Sequence, residues 1–157
     1  KGNGIKEKLE NQEYIKTVDI VTIRARIKLF EFTDKGKQAL KALGYKPKSN
    51  RKGGVKHQYW QYKVAQHYAY KGYKVTENYS LGNGKEVDIV VEKEDNTIAI
   101  EIETGKSDIL ANIQKGQCFD KILCLVTEAQ LKTKIEQQIQ EYKNVTVYFV
   151  KEFLKIL

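Results

Sequence analysis

Residues 98–103 read Ile-Ala-Ile-Glu-Ile-Glu, so apolar and acidic side chains alternate toward the end of one short segment. Successive side chains of a β-strand point to opposite faces, and this alternation therefore predicts a strand. In that strand Glu101 and Glu103 share one face, while the isoleucines share the other. The segment thus predicts a sheet with two carboxylates side by side on one surface.

A third acid is predicted to join them. Asp88 lies in the sequence Val-Asp-Ile-Val-Val at 87–91, which also predicts a strand. If Asp95-Asn96 forms a two-residue hairpin loop, Asp88 lies opposite Glu103 and diagonal to Glu101. Crowded carboxylates raise one another's pKa, and a divalent cation such as Mg²⁺ relieves the repulsion. The alternative is an acidic strand surface that simply faces water.

From residue 55 onward, hydrophobic periodicity and turn residues predict the element order α-β-β-β-α-β-α-β. The first three strands favour an antiparallel meander, and the apolar fourth strand is typical of a central strand with parallel neighbours. Ser107 is the predicted N-cap of one helix, and Thr127 with Gln130 a capping box for the next. The predicted segments are helix 55–71, strands 73–79, 86–93 and 97–104, helix 108–115, strand 121–126, a helix to about 142 and strand 145–150.

This order, with an Asp in the second strand and Glu-x-Glu in the third, resembles the PD-(D/E)XK nuclease superfamily over residues 55–150. The resemblance implies an α/β fold, namely a restriction-endonuclease-like mixed β-sheet with an αβββαβ core. It also implies that Asp88 and Glu101 bind Mg²⁺ or Mn²⁺, with the carbonyl of Ile102 as a further ligand. The implied activity is that of a metal-dependent DNA endonuclease, which hydrolyses phosphodiester bonds.

The sequence departs from the family pattern at two positions. Val87 replaces the usual Pro, and Glu103 replaces the Lys that orients or activates the attacking water. We expect Glu103, helped by Lys106, to orient that water, although Glu at this position also fits a degenerate site. The resemblance offers three further accessory candidates, which are Lys115, Gln114 and His57.

The surplus positive charge of the chain lies at its front. Residues 1–54 contain 14 basic and 6 acidic residues, a balance of +8, while residues 55–157 are neutral. A basic segment joined to a neutral, acid-containing one indicates one part that gathers a polyanion and another that acts on it. The alternative is a merely soluble basic surface.

The front segment has its own pattern of a short helix, a hairpin with basic residues at its tip, and a helix that opens with Thr-Asp-Lys-Gly. This pattern resembles the C-terminal half of a winged helix-turn-helix domain, in which the hairpin contacts DNA. We therefore expect a winged-helix-like N-terminal segment at 1–45, a basic linker at 46–54 and the nuclease-like domain at 55–157. The candidate DNA contacts are Arg24, Arg26, Lys48, Arg51 and Lys52. A hairpin that only packs or dimerises is the alternative.

Composition excludes several classes of protein. The longest apolar run, Ile122–Val126, is far shorter than the roughly 18 residues that a membrane helix needs, so no membrane partner is expected. The two cysteines are too few for a disulfide scaffold or a zinc site, which favours reduced thiols in the cytoplasm. The chain begins at Lys1 and contains no Met, so we expect it to be part of a longer protein.

Three hypotheses on function follow. The first is a metal-dependent DNA endonuclease, for which a homodimer is expected because one site per chain must cut two strands. The second is a catalytically degenerate nuclease fold that binds DNA. The third is a protein-interaction module of a larger ATPase- or helicase-type machine, with the tyrosine-rich helix 55–71 as its interface. Those tyrosines either stack on unpaired bases or lie in a core or interface.

Overall fold

The computed structural model describes residues 2–46, 53–82 and 84–155. These residues form a mixed α/β protein with a two-stranded and a five-stranded sheet. The chain divides into two compact units, Lys1–Gln58 and Tyr59–Leu157. Within the described residues, no helix has both the length and the apolar composition needed to cross a bilayer.

The first unit consists of a helix, a hairpin and a second helix, as predicted. The hairpin is antiparallel, with Ile15 opposite Phe32 and Val21 opposite Arg26. Hydrogen bonds between Thr22 and Ala25 close its turn. The elements are α1 (Gly2–Asn11), β1 (Ile15–Val21), β2 (Arg26–Phe32) and α2 (Asp34–Ala42).

Capping contacts define both ends of α2. The Thr33 side chain accepts a hydrogen bond from the Gly36 N–H at 3.1 Å, which caps the first turn. Gly44 has φ +79°, and the Tyr45 N–H returns to the Leu40 carbonyl, as in a Schellman motif. A Cβ on Gly36 would lie 2.0 Å from the carbonyl oxygen of Tyr14, so the packing of α2 on the hairpin requires glycine there.

The second unit is built around the five-stranded sheet, whose order is β3-β4-β5-β6-β7. β3, β4 and β5 are antiparallel neighbours, whereas β5, β6 and β7 are parallel. The predicted element order, the meander and the parallel central strand are confirmed. The elements are α3 (Val55–Tyr70), β3 (Lys74–Gly82), β4 (Lys85–Lys93), β5 (Asn96–Glu103), α4 (Ile109–Lys115), β6 (Lys121–Val126), α5 (Ala129–Gln138), β7 (Val145–Phe149) and α6 (Val150–Phe153).

Helices cover both faces of this sheet. Cys124 of β6 packs in one core with Ile113 of α4 and Ile135 of α5, so α4 and α5 lie on that face. On the other face, Phe153 of α6 contacts both Tyr68 of α3 and Tyr148 of β7. The three layers bury β6 almost completely, which explains its unbroken apolar sequence.

Two predicted helix starts are wrong. Asp108, not Ser107, caps α4, because its side chain accepts from the Ala111 N–H. The predicted capping box of Thr127 and Gln130 is absent, and α5 begins at Ala129 after an N-cap without a side-chain hydrogen bond. This helix also ends at Gln138 rather than near residue 142. Both residues contact Glu103 at the end of β5, Ser107 through its hydroxyl and Thr127 through its backbone N–H.

The predicted register of the β4–β5 hairpin is also wrong. Lys93 pairs with Asn96, so the turn is Glu94-Asp95, with Glu94 at φ +54°. Ile89 then lies opposite Ile100, and the next positions along the two strands are Asp88 and Glu101. Moving the turn by one residue leaves every side chain on its predicted face. The alternation of apolar residues therefore did not distinguish the two registers.

Candidate functional site

Two glutamates are buried at the carboxyl end of β5. Glu101 and Glu103 are each only 2% exposed. Glu101 pairs with Cys124, whose side chain lies in the core under α4 and α5, so both acids face those helices. The carboxyl ends of parallel strands are where open α/β sheets bind ligands. Two buried acids at this edge mark it as the candidate site.

Asp88 is fixed next to them by backbone contacts. Its Oδ2 accepts a hydrogen bond from the Ile102 N–H at 2.8 Å, which ties the start of β4 to β5. Its backbone carbonyl accepts from Gln61 Nε2 at 2.7 Å, and the same amide nitrogen lies 3.2 Å from Asn78 Oδ1. Gln61 is a buried residue of α3. In the sequence, the indication of this contact is that Gln61 is a polar residue placed between the apolar residues Trp60 and Val64.

The direction of the Ile102 carbonyl follows from the same bond. The N–H and C=O of one strand residue point to the same side of the strand. Because the Ile102 N–H points to Asp88, its carbonyl also points toward β4. The Glu103 carbonyl, one residue on, points the other way and accepts from the Thr127 N–H at 2.9 Å. Asp88, Glu101 and the Ile102 carbonyl therefore lie at the same side and end of β5.

Glu101 forms a buried ion pair with α4. Its Oε1 lies 3.1 Å from Lys115 Nζ, and the two side chains are 3% and 15% exposed. The Lys115 ammonium is the contact that stabilises the charged form of this carboxyl group. The pKa of Glu101 is raised to about 8: burial is the largest cause, the nearby Asp88 adds to it, and Lys115 opposes both. A carboxyl group this perturbed is typical of functional sites.

Glu103 has a different environment. Its Oε1 accepts from Asn112 Nδ2 at 2.8 Å, and its Oε2 accepts from the Ser107 hydroxyl. Asn112 and Lys115 lie three positions apart on α4, so one side of this helix faces both glutamates. The contacts of Glu103 therefore fix the loop after β5 and the start of α4. Sequence reasoning missed Asn112, and its spacing from Lys115 is the signal that would have found it.

The other predicted site residues are not at the acids. Lys106 is exposed and forms no ion pair within the part of the chain that the structure describes, and Gln114 points from α4 into solvent. His57 is half-buried in the first turn of α3. Of the two lysines predicted to assist the acids, Lys115 is therefore the one that contacts them.

The three acids do not form one ligand cluster. Within residues 2–46, 53–82 and 84–155, no three acidic, His or Cys side chains lie close enough to hold a metal ion together. Asp88 and Glu103 are near enough to raise the pKa of Glu101, yet Glu103 is held aside by Ser107 and Asn112. The predicted convergence of three carboxylates is therefore replaced by a pair, Asp88 and Glu101.

A cleft of about 200 Å³ opens beside Glu103, between the loop after β5 and α5. Gly105 (φ +84°) lets that loop approach Leu131, since a Cβ there would lie 3.2 Å from the leucine side chain.

The nearby Cys124 thiol is buried, and burial together with Glu103 and Glu101 raises its pKa to about 12. This cysteine is therefore an inert part of the core.

The predicted DNA contacts of the first unit differ in environment. Arg26 donates from Nε and Nη2 to the two carboxylate oxygens of Asp19, at 3.2 and 2.8 Å, so its charge is already paired. Arg24 is exposed at the hairpin tip and has no such partner among the described residues. The other candidates, Lys48, Arg51 and Lys52, and most of the predicted linker lie outside the described residues.

Comparison with known proteins identifies no relative of this chain. No family model, no curated protein and no solved structure matches it. The chemistry of the site therefore has to be argued from its geometry.

Proposed function

We propose that this protein is a metal-dependent DNA endonuclease with a PD-(D/E)XK-like active site in its second unit. One observation carries the proposal: Glu101 is an almost fully buried carboxylate between Asp88 and Lys115. Burying a carboxylate beside a second one costs folding free energy, so a functional reason for keeping both is expected. A site for a divalent cation supplies that reason.

The residues present fit such a cation. Mg²⁺ is usually bound through one or two carboxylates and several waters, and Asp88 with Glu101 provides two. The Ile102 carbonyl points to the same side of β5 as Asp88 and offers a further oxygen. When bound, Mg²⁺ or Mn²⁺ polarises the scissile phosphate and lowers the pKa of a water ligand.

The ammonium group of Lys115 has a separate role in this proposal. Lys115 sits against Glu101 on α4, and an ammonium at this position can donate to the attacking water or to a phosphate oxygen. Glu103 already accepts hydrogen bonds from Ser107 and Asn112. We therefore assign the orienting role to Lys115 and give Glu103 the role of holding α4, and with it Lys115, in place.

The charge distribution supports DNA as the substrate. The front of the chain carries the whole surplus of +8, which favours a polyanion. The exposed Arg24 at the hairpin tip is the described residue of the first unit that best suits a phosphate contact. A winged-helix-like role for that unit rests on this hairpin and on the charge.

The test is cleavage of a panel of labelled duplex, junction, flap and single-stranded DNAs in Mg²⁺, in Mn²⁺ and in EDTA. We expect cleavage that requires a divalent metal and is lost in Asp88→Ala. The matched control is Asp95→Ala, which removes an exposed acid from the turn at the other end of the same strand. Cleavage by Asp88→Ala at the rate of the unmodified chain would exclude the proposed site.

A second candidate function is favoured by one observation. Lys115 already neutralises Glu101, and Glu103 stands at the position where the PD-(D/E)XK pattern has Lys. Both features suit a nuclease fold that binds DNA, or a partner in a larger DNA-processing protein, without cleaving it. This candidate predicts salt-dependent DNA binding with no cleavage in any divalent metal, and with the same affinity in Lys115→Gln.

A further inference from the structure

The outer side of α3 carries exposed aromatic residues. The helix buries Trp60, Val64 and Tyr68 against the sheet, but Tyr62 and Tyr70 are 47% and 95% exposed. Helical spacing places these tyrosines beside a half-buried tyrosine, a lysine and an exposed glutamine. We call this surface the aromatic stripe, and it consists of Tyr59, Tyr62, Lys63, Gln66 and Tyr70.

Contacts within the stripe orient the Tyr62 ring. Gln66 Nε2 donates to the Tyr62 hydroxyl at 2.6 Å. Lys63 Nζ lies 5.9 Å from the centre of the Tyr62 ring and 6.0 Å from that of Tyr59. A ring that is already oriented loses less conformational entropy when a planar ligand stacks on it. The stripe is therefore prepared for flat partners rather than for aliphatic side chains.

The stretch of sequence that contains the stripe is basic. Residues 35–76 contain no Asp or Glu but eleven Lys and Arg residues. The stripe lies within this stretch and includes Lys63, which favours a polyanionic partner. Exposed aromatic rings among cations are the usual surface for unpaired nucleic acid strands, on which successive bases stack.

We propose that the aromatic stripe binds unpaired nucleobases of a single-stranded nucleic acid segment by stacking. α3 covers the opposite face of the sheet from the acids, so this surface is separate from the candidate active site. The inference deepens the proposed function, on which its relevance rests, because it gives the enzyme a preference for substrates with an unpaired segment. A protein partner is the competing occupant, and the test distinguishes it.

The experiment measures binding of the full chain to labelled strands of about 20 nucleotides by fluorescence anisotropy in EDTA. The double variant Tyr62→Ser/Tyr70→Ser should bind a normal strand about 10-fold more weakly or worse. It should bind an abasic strand of the same length, and a duplex, as the unmodified chain does. Tyr62→Phe/Tyr70→Phe keeps both rings and should retain the original affinity.

Two results would overturn the proposal. One is an equal loss on normal and abasic strands, or no loss on either, because stacking needs the bases. The other is a change in sedimentation of the Ser variant with unchanged strand binding, which would identify the stripe as a self-association surface. Since EDTA prevents cleavage, neither result depends on whether Asp88 and Glu101 form an active site.

Discussion

Lys115 Nζ lies 3.1 Å from Oε1 of Glu101, and both side chains are withdrawn from water. This pair joins the middle of the sheet to α4, directly beside Asp88. Solution experiments can probe this pair readily, because the protonation of the Glu101 carboxyl group is coupled to folding.

The pH dependence of stability should report on Glu101. Its pKa in the folded protein is raised to about 8 from an ordinary value of 4.5. Between these values the folded state keeps a proton that the unfolded state releases, so stability falls as pH rises through this window. The slope has an upper limit of about 1.4 kcal/mol per pH unit. Urea unfolding at a series of pH values should give a flatter profile for Glu101→Gln. Parallel profiles would contradict the assignment.

Removing Lys115 should have a pH-dependent effect on stability. Lys115→Met leaves Glu101 buried without its cation, which costs about 3–5 kcal/mol if the carboxyl group stays charged. At low pH the protonated Glu101 avoids most of that cost. The destabilisation measured by urea unfolding should therefore be small at about pH 5 and larger at about pH 9. Lys115→Arg keeps the charge and is the control, so an equal loss in both variants would point to packing alone.

The hydrogen bond between Asn112 and Glu103 should contribute measurably to stability. Asn112→Ala leaves Oε1 of a buried Glu103 without its donor, for an expected loss of about 1–3 kcal/mol. Gln114→Ala, on the exposed side of the same helix, should change stability by less than about 0.5 kcal/mol. Chemical denaturation of the two variants compares them directly. Equal effects would mean that Glu103 does not hold α4 in place.

Two glycines allow a matched test of the first unit. A Cβ on Gly36 would lie 2.0 Å from the Tyr14 carbonyl oxygen, whereas one on Gly4 would meet nothing within 4 Å. Gly36→Ala should therefore disrupt the packing of α2, with a loss of about 3 kcal/mol or more. Gly4→Ala, in α1, should stabilise its helix by up to about 1 kcal/mol. Thermal unfolding followed by circular dichroism would show opposite shifts, and a stable Gly36→Ala variant would refute the close approach.

Local sequence patterns were sufficient to predict the order of the elements. The apolar run of β6 and the alternating Ile and Glu of β5 each fix a strand and the faces of its side chains. They did not fix the β4–β5 register, because both turn positions put Asp88 and Glu101 on the same face. Ser107 was misassigned as a capping residue because its hydroxyl donates to Glu103 instead.

The candidate site was predictable only in part. The shared face of Asp88 and Glu101 follows from strand periodicity, whereas Lys115 was a candidate only through the resemblance to PD-(D/E)XK nucleases. The partners Gln61 and Asn112 come from helices on opposite faces of the sheet, and their contacts depend on how those helices pack. In the sequence, such a contact is indicated only by an amide side chain among the apolar residues of a helix, as for Gln61.

The central claim is that Asp88 and Glu101 form a site for a divalent cation. Its most direct test is Mn²⁺ binding to the purified chain, measured by isothermal titration calorimetry, for the unmodified protein, Asp88→Asn and Asp95→Asn. Asp95 is an exposed acid in the β4–β5 turn and serves as the matched control. We predict one saturable site that Asp88→Asn abolishes and Asp95→Asn preserves. An unmodified chain that binds no Mn²⁺, or an Asp88→Asn variant that binds it equally well, would contradict the account.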